Sequence, residues 1–208
     1  MDLLADDVAV VGSSSILLNA GNGPRIDAHR TVVRFNRAQL DGFVSDVGSK
    51  TDLLYVAETI IPEKAEAYRR NFATMDCPIL TKLDNVDFLV EHGVDPARCY
   101  FHKDFEEFVR KRCFSIINRM IDKRYKHKRP PRSGITILSL LLGPKLPEKP
   151  VDIYGIEVED IQQKGWKTHF FARSSAHTYQ HLGWHCPPEL EFEVLNAMAD
   201  QGAIRINR

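Results

Sequence analysis

Short apolar runs alternate with longer amphipathic stretches along the 208-residue chain. A short apolar run that ends in glycine, as at residues 7–12, is typical of a buried parallel strand. Further strands are predicted at residues 31–36, 51–56, 77–82, 151–154 and 203–206, and helices at 62–72, 105–125, 134–142 and 188–199. Strands that alternate with helices in this way predict an α/β fold with a mainly parallel central sheet and flanking helices.

The length and the charge of the chain narrow the class of protein. A chain of 208 residues can bury one sizeable core, and it shows neither a repeat nor a linker, so a single domain over residues 1–208 is predicted. Because 28 basic residues balance 28 acidic ones, no global attraction to nucleic acid is expected. The sequence has no apolar run of about 18 residues that would span a membrane. Its first seven residues are too acidic and too few for a signal peptide.

Three serines follow the first predicted strand at positions 13–15. Such residues cap helices, and helix N-termini present free N–H groups to anions, so the turn suits a nucleotide phosphate. An ordinary capped helix after a strand is the alternative. The sequence contains neither G-x-G-x-x-G nor G-x-x-x-x-G-K-[ST], which disfavours the usual dinucleotide and P-loop sites and leaves a nicotinamide-dependent oxidoreductase as a distant alternative.

The most informative feature is a set of polar residues in one register between positions 26 and 51. The set comprises Asp27, His29, Arg34, Asn36, Asp46, Gly48, Lys50 and Thr51. Together with the strand and turn before it, this segment closely resembles the long sialylmotif of the animal-type sialyltransferases. That family moves a nine-carbon keto-acid sugar from a CMP-activated donor onto a glycan hydroxyl. The resemblance implies a single Rossmann-like domain, a GT-A-like sialyltransferase variant.

A second segment, PPRSGIT at residues 130–136, leads into the strand VDIYG at 151–155. It resembles the short sialylmotif, in which the positions of Ser133 and Gly134 meet the phosphate and the carboxylate of the donor. The same chemistry follows from the residues, because a hydroxyl and a glycine at a helix start let an anion approach backbone amides. The alternative is an ordinary serine cap before a core helix.

Two histidine segments follow. GWKTHFF at residues 165–171 resembles the family's third motif and places His169 in it, with His177 as a second-ranked candidate. GWHCPPELE at residues 183–191 resembles the very short motif, a histidine followed at a fixed distance by a glutamate. The match needs a one-residue insertion between His185 and Glu191, and the alignment of the downstream residues 204–206 favours Glu191 over Glu189.

The resemblance implies a role for each histidine. Attack by a sugar hydroxyl needs a base of near-neutral pKa, and His185 is the expected base. Protonated His169 would stabilise the charge that grows on the departing phosphate. A separate base and leaving-group stabiliser imply one direct displacement with inversion. Glu191 is expected to anchor the C-terminal helix or to orient His185 rather than to touch the substrate.

The donor contacts follow from the same resemblance. Asn36 matches an asparagine that contacts CMP, and Ser14 keeps the serine of the turn, whereas Ser13 replaces an asparagine. Trp166 stacks near the nucleotide in one interpretation and is a core tryptophan in the other. Four further matched residues are interpreted as a buried polar scaffold, because a buried charge requires a partner: Asp27, His29, Arg34 and Asp46.

No cofactor is expected. The chain lacks the D-x-D pair that holds a metal-bound diphosphate, and a CMP donor carries only one phosphate, so metal independence is predicted. CMP-Neu5Ac is the leading donor and CMP-Kdo is the alternative, because both are CMP-linked keto acids. A non-catalytic CMP- or glycan-binding relative is the competing class, motivated by Ser13 and by the stretched interval between His185 and Glu191.

The four cysteines at positions 77, 99, 113 and 186 show no C-x-x-C spacing, so a zinc site is not expected. The Golgi enzymes of the family join a cysteine of the long motif to one of the short motif. Here Val8 occupies the first position and residues 133–156 hold no cysteine, so this disulfide cannot form. A cytoplasmic enzyme is therefore expected. A trimmed catalytic domain of a membrane-anchored Golgi enzyme is the alternative.

A basic run, KRYKHKRPPR, occupies residues 123–132. It could attract the anionic donor, rest on anionic lipid as a peripheral membrane contact, or be a solvated loop. Nucleic acid is a poor fit, since the run has one aromatic residue and the chain is net neutral. The expected partners are the CMP-sugar and a glycan acceptor, whose choice is assigned to residues 84–128 and 162–175, the least family-like parts of the chain.

Overall fold

Seven strands form one sheet in which every neighbouring pair is parallel. The computed structural model describes residues 7–57, 60, 65–66, 68–70, 72, 75–100, 105–121, 129, 131–142, 148–156 and 186–207. The strands are β1 (Val8–Val11), β2 (Thr31–Phe35), β3 (Leu53–Val56), β4 (Ile79–Thr81), β5 (Cys99–Tyr100), β6 (Val151–Tyr154) and β7 (Ile204–Asn207). The predicted α/β class with a mainly parallel sheet is confirmed.

Within the described residues, helices flank the sheet. They are α1 (Gly23–Asp27), α2 (Val44–Val47), α3 (Leu83–Glu91), α4 (Phe105–Ile121), α5 (Ser133–Leu141) and α6 (Pro188–Asp200), with single 3-10 turns at Ser15–Leu17 and Pro96–Arg98. The helices predicted at 105–125, 134–142 and 188–199 correspond to α4, α5 and α6. The helix predicted at 62–72 lies mostly outside the described residues, although positions 65–66, 68–70 and 72 are helical.

Helix α3 is absent from the sequence-based prediction, and its burial explains why. Its two buried positions are Leu89 and the polar Asn85, which is 1% exposed. A polar residue at a core-facing position breaks the apolar period by which an amphipathic helix is recognised. The amide of Asn85 is satisfied by tertiary contacts, since it accepts from the N–H of Ile60 at 3.0 Å and donates to Thr81 Oγ1 at 2.9 Å.

Alternate residues of each strand face opposite sides of the sheet, so both faces are apolar and covered. Val8 and Val10 pack in a core with residues of α4, α5 and α6, whereas Ala9 and Val11 pack with residues of α1 and α2. A third cluster lies around β3, β4 and α3. In the part of the chain that is described, no helix is long and apolar enough to cross a membrane.

The strand order is β5-β4-β3-β2-β1-β6-β7. The chain therefore extends the sheet from β1 in one direction as far as β5 and then adds β6 and β7 on the other side of β1. In parallel α/β sheets, ligands bind outside the carboxyl ends of the strands where the strand order reverses. The carboxyl ends of β1, β2 and β6 are therefore the expected location of a ligand site.

Candidate functional site

The turn after β1 is tied to the carboxyl end of β6. Gly12 N–H donates to the carbonyl oxygen of Tyr154 at 2.7 Å, and Ser14 N–H donates to that of Gly155 at 3.1 Å. A Cβ atom on Gly12 would lie 2.2 Å from the Gly155 carbonyl oxygen, so no side chain fits at position 12. The two strand ends on either side of the reversal point are therefore held at a close backbone contact.

Ser14 caps the segment that follows, as the sequence predicts. Its Oγ accepts from the N–H of Ile16 at 3.4 Å, but the capped segment is a single 3-10 turn at Ser15–Leu17. The amide of Ser14 is also committed to Gly155. This turn therefore lacks the N-terminal amide cluster of a full helix, and its potential ligand groups are hydroxyls, including that of the half-buried Ser13.

The side chains of Asn36 and Ser133 meet at this edge of the sheet. Asn36 follows β2, Ser133 begins α5, and Asn36 Nδ2 donates to Ser133 Oγ at 3.1 Å. The orientation of the carboxamide is set by its other end, because the N–H of Ala57 donates to Asn36 Oδ1 at 3.1 Å. Asn36 has φ of 56°, in the left-handed region that asparagine tolerates better than most residues.

This arrangement determines what Ser133 can do. A hydroxyl that accepts a hydrogen bond from an amide nitrogen keeps its own proton for another acceptor. The adjoining Gly134 lies at the start of α5, where an added Cβ would come no closer than 3.4 Å to Ile156 Cδ1, an ordinary contact. No described neighbour therefore requires glycine at position 134, and Gly134 is itself buried.

Arg132, the residue before Ser133, is held by Glu191 of α6. Glu191 Oε1 accepts from the backbone N–H of Arg132 at 2.7 Å and from Cys186 Sγ at 3.3 Å, and its Oε2 accepts from the Arg132 guanidinium. Burial raises the pKa of Glu191 against the opposing effects of Arg132 and Cys186. Glu191 therefore anchors α6 to the loop before α5, which is one of the two roles expected for it.

Arg34 is part of the scaffold, as predicted. It is 2% exposed, and its guanidinium donates to the carbonyl oxygens of Lys50 at 3.0 Å and Val47 at 2.7 Å and to Thr51 Oγ1 at 3.1 Å. Burial lowers the pKa of Arg34 to about 10, with the carboxylate of Asp27 acting in the opposite direction. The guanidinium fixes the segment between α2 and β3 and is directed toward protein atoms.

Asp27 holds the same segment from the other side. Its carboxylate accepts from the N–H groups of Ser49 and Lys50, each at 2.9 Å, and from Ser49 Oγ at 3.0 Å. Burial acts to raise the pKa of Asp27, but these hydrogen bonds outweigh it, so the pKa lies below the ordinary value of 3.8. Asp27 is therefore a scaffold residue, although it is half-buried rather than buried as predicted.

The other two scaffold residues are also engaged by the protein. His29 is hydrogen-bonded through Nδ1 to Asp7 Oδ1 at 2.6 Å and through Nε2 to the Tyr154 hydroxyl at 3.0 Å. Asp46 Oδ1 accepts from the N–H of Gly21 at 2.9 Å. These contacts join the loops around α1 and α2 to β6.

The described part of the candidate site comprises Ser13, Ser14, Asn36, Ser133 and Gly134. Arg132 belongs to both the basic run and the PPRSGIT segment, but no role was predicted for it, and its placement directly before Ser133 is the signal that could have singled it out. Four further candidates lie outside the described residues, in 157–185: Trp166, His169, His177 and His185.

All four cysteines, Cys77, Cys99, Cys113 and Cys186, are free. Burial raises the pKa of the Cys77 and Cys113 thiols, which disfavours their reactive thiolate forms.

Comparison with known proteins assigns these features to one family. The model of glycosyltransferase family 29 (sialyltransferase) matches residues 5–203. Over 95% of its length the chain is 29% identical to the pig "CMP-N-acetylneuraminate-beta-galactosamide-alpha-2,3-sialyltransferase 1", and it covers 57% of that relative. The chain thus spans a little over half of this relative.

Two plant proteins match a shorter stretch. Over 53 residues, 26% of this chain, it is 53% identical to "Sialyltransferase-like protein 2" of Oryza sativa subsp. indica, covering 13% of that protein. An equally long stretch is 43% identical to "Beta-1,6-galactosyltransferase GALT29A" of Arabidopsis thaliana and covers 13% of it.

The fold has a counterpart among solved structures. A mammalian sialyltransferase in complex with Gal-beta-1-3GalNAc-ortho-nitrophenol superposes with a TM-score of 0.63 at 21% identity. The match covers 96% of this chain and 68% of that one. At this identity the likeness establishes a shared fold.

Proposed function

Because this chain belongs to glycosyltransferase family 29, the sialyltransferase family, we propose that it is an inverting transferase that moves Neu5Ac from CMP-Neu5Ac to a glycan hydroxyl. The observation that carries the proposal is the 3.1 Å hydrogen bond from Asn36 Nδ2 to Ser133 Oγ. It joins the two segments expected to hold the donor, at the edge of the sheet where a ligand site is expected.

The described residues supply neutral donors for an anion. The half-buried Ser133 begins α5, the first amides of a helix are not used in its own hydrogen bonding, and the side chain of Arg132 makes no capping hydrogen bond to this helix. A single phosphate and a carboxylate can be bound by such groups, whereas a diphosphate usually requires a metal ion. We therefore propose that donor binding is metal-independent.

The chemical step is assigned to two histidines on the basis of sequence. The acceptor hydroxyl oxygen attacks the anomeric carbon while the bond from that carbon to the phosphate oxygen of CMP breaks. His185 takes the proton of the hydroxyl, and protonated His169 stabilises the negative charge on the departing phosphate. One displacement of this kind inverts the configuration at the anomeric carbon.

The Arabidopsis relative supports a second candidate function. Its name describes a galactosyltransferase, and it shares 43% identity with this chain over 53 residues. Shared sequence of this extent therefore does not by itself select the donor sugar, and transfer of galactose from a nucleotide donor is the second candidate. Two earlier alternatives, transfer from CMP-Kdo and CMP or glycan binding without turnover, are tested alongside it.

The experiment measures nucleotide release from CMP-Neu5Ac, CMP-Kdo and UDP-galactose separately, with a mixed glycan acceptor pool, both with divalent metal ions and with EDTA. His185→Ala and His169→Ala are compared with His92→Ala. His92 is a matched control because it lies at the end of α3, where its Nδ1–H donates to the carbonyl oxygen of Phe88 at 2.8 Å and its ring stacks on that residue. Acceptor-dependent CMP release that survives EDTA, falls at least a hundredfold in His185→Ala and persists in His92→Ala is the expected result.

The other outcomes separate the alternatives. Release only from CMP-Kdo or UDP-galactose would change the donor, and CMP binding without release from any donor would refute the transferase proposal. A turnover that EDTA abolishes would refute metal independence.

We also propose that the enzyme functions in a reducing compartment, since its four cysteines are free. The turnover rate and the melting temperature are then expected to be the same with and without dithiothreitol. A loss of either on reduction would indicate an intermolecular disulfide and would contradict the proposal.

A further inference from the structure

Glu191 makes contacts that its position in α6 does not explain. A carboxylate in the first turn of a helix ordinarily accepts from the amides of its own helix. Here the Glu191 side chain is 7% exposed, and its oxygens accept from Cys186 and from two groups of Arg132, 59 residues earlier in the chain. Burying a carboxylate is costly unless it is paired and hydrogen-bonded, so this arrangement points to a role in holding Arg132.

Arg132 is held on both sides of its α-carbon. Its N–H donates to Glu191 Oε1 at 2.7 Å, and its carbonyl oxygen accepts from the N–H of Thr136 at 3.0 Å and from Thr136 Oγ1 at 3.2 Å. The peptide groups that flank Arg132 are therefore fixed, and the second of them leads directly into Ser133. The position of the Ser133 hydroxyl depends on this backbone.

Ser133 thus lies between two supports. From the sheet, Asn36 donates to its Oγ at 3.1 Å, and from α6, Glu191 holds the residue before it. We propose that Arg132 and Glu191 form a clamp that positions Ser133 to bind the anionic part of the donor. The proposal rests on the proposed function, because the ligand class is taken from it.

The Glu191 carboxylate also connects the proposed donor site to the segment that carries the proposed base. The proposed base, His185, lies six residues before Glu191 in sequence, and Cys186 next to it donates to the same carboxylate. One carboxylate therefore links the loop that begins α5 to the segment that carries the base. Arg132 and Glu191 are positioning residues in this proposal, acting through Ser133 rather than on the substrate.

The first experiment measures CMP affinity by calorimetry for wild type, Glu191→Gln, Arg132→Ala and the double variant. When the clamp is lost, Ser133 is no longer positioned to donate to the anionic donor. Because the loss of a hydrogen bond to a charged group changes affinity about tenfold or more, Glu191→Gln is expected to weaken CMP binding by at least that factor. Arg132→Ala is expected to have a smaller effect, because the backbone N–H remains bonded to Glu191. The double variant should be no weaker than Glu191→Gln alone, because the two residues act as one unit.

Glu189→Gln is the matched control. Glu189 lies in the same first turn of α6 and is exposed, and its substitution should leave the CMP affinity unchanged. In steady-state kinetics, Glu191→Gln should raise the KM for the donor far more than the KM for the acceptor. Melting temperatures, recorded for each variant, ensure that affinities are compared on folded protein.

Hydrogen exchange of the ligand-free protein tests the clamp without using the proposed function. The amides of Arg132 and Thr136, which donate to Glu191 Oε1 at 2.7 Å and to the Arg132 carbonyl oxygen at 3.0 Å, should exchange at least tenfold faster in Glu191→Gln than in wild type, while the amides of β1 should not change. Unchanged exchange at both amides would overturn the clamp whether or not the protein binds CMP. Faster exchange with wild-type CMP affinity and donor KM would show that the contact stabilises the loop only, and would also overturn the proposal. If wild type itself does not bind CMP, the proposed function fails, and the exchange result alone decides whether the clamp exists.

Discussion

Replacing Asn36 by aspartate changes one polar group of the candidate site. The substitution distinguishes an effect on the stability of the fold from an effect on donor binding. The aspartate keeps an oxygen to accept from the N–H of Ala57, which Asn36 Oδ1 does at 3.1 Å. Aspartate also tolerates the left-handed backbone, in which Asn36 has φ of 56°. The free energy of unfolding is therefore expected to change by about 1 kcal/mol or less.

The Asn36→Asp substitution should weaken donor binding strongly. An aspartate oxygen in the place of Nδ2 forces the Ser133 hydroxyl to donate its hydrogen bond to position 36. The hydroxyl can then no longer donate to the ligand. A hydrogen bond to a charged group contributes about 1.5–3 kcal/mol. Asn36 Nδ2 lies 3.1 Å from Ser133 Oγ, and an anion oxygen bound to that hydroxyl would lie about 3 Å further on, so the added negative charge repels the anion across about 6 Å by roughly 2.5 kcal/mol at an effective dielectric constant near 20. The sum, about 4 kcal/mol, corresponds to CMP binding weakened about a thousandfold.

Asn85 provides a matched control because it makes the same pair of contacts. It accepts from a backbone N–H at 3.0 Å and donates to the hydroxyl of Thr81 at 2.9 Å, but it lies beside β3 and β4, away from the point where the strand order reverses. Asn85→Asp should destabilise the fold by several kcal/mol, since the residue is 1% exposed, and should leave the CMP affinity of the folded protein unchanged. Calorimetric titration with CMP and urea unfolding measure the two effects. Wild-type CMP affinity in Asn36→Asp would refute the assignment of this amide to donor binding.

Three further predictions concern stability. Gly155→Ala should lower the free energy of unfolding by about 2–4 kcal/mol, because φ is +61° and the added Cβ would lie 2.5 Å from Leu17 Cδ1. Gly202→Ala, with φ of +71° and nothing within 4 Å, should lose only about 1 kcal/mol, and equal losses in the two variants by urea unfolding would contradict the steric argument. The pKa of Asp27 is lower in the folded protein than its ordinary 3.8, so its contribution is present above pH 3.8 and is lost as pH falls through the folded pKa. Asp27→Asn should therefore be less stable than wild type at pH 7, with the difference shrinking below pH 3.8, and a difference that does not depend on pH would argue against this linkage. Burial raises the pKa of Glu191 above its ordinary 4.5, so the stability linked to its protonation is present below pH 4.5 and is lost as pH rises through the folded pKa. Wild type should accordingly lose stability relative to Glu191→Gln as pH rises from 4.5, and denaturation curves of the two proteins over that range that remain parallel would be evidence against the raised pKa.

Six of the seven strands and the long helices could be predicted from the sequence, because each depends on local patterns, whereas the two-residue strand β5 was missed. A four-residue apolar run that ends in glycine, such as Val8–Val11, is typical of a strand that is buried on both faces, and its alternation with helices indicates a parallel sheet. The scaffold roles of Arg34 and Asp27 were predictable for a related reason. A charged residue embedded among apolar ones must find partners in the fold, and both residues do.

Other features depended on residues far apart in sequence, and only the tertiary structure decided them. Asn36 and Ser133 are 97 positions apart, and Arg132 and Glu191 are 59 apart. Neither pair has a local signal, because its contact exists only once the strand order places β1 between β2 and β6 and the fold packs α5 near α6. Helix α3 was missed in the sequence for the same reason. Asn85 occupies a core position, and the energetic cost of burying its amide is offset by hydrogen bonds to Ile60 and Thr81. Local sequence determines which helices and strands form. Long-range hydrogen bonds between the ends of these elements determine which side chains share a site. The reason is that a buried polar group is tolerated only where the completed fold supplies its partner.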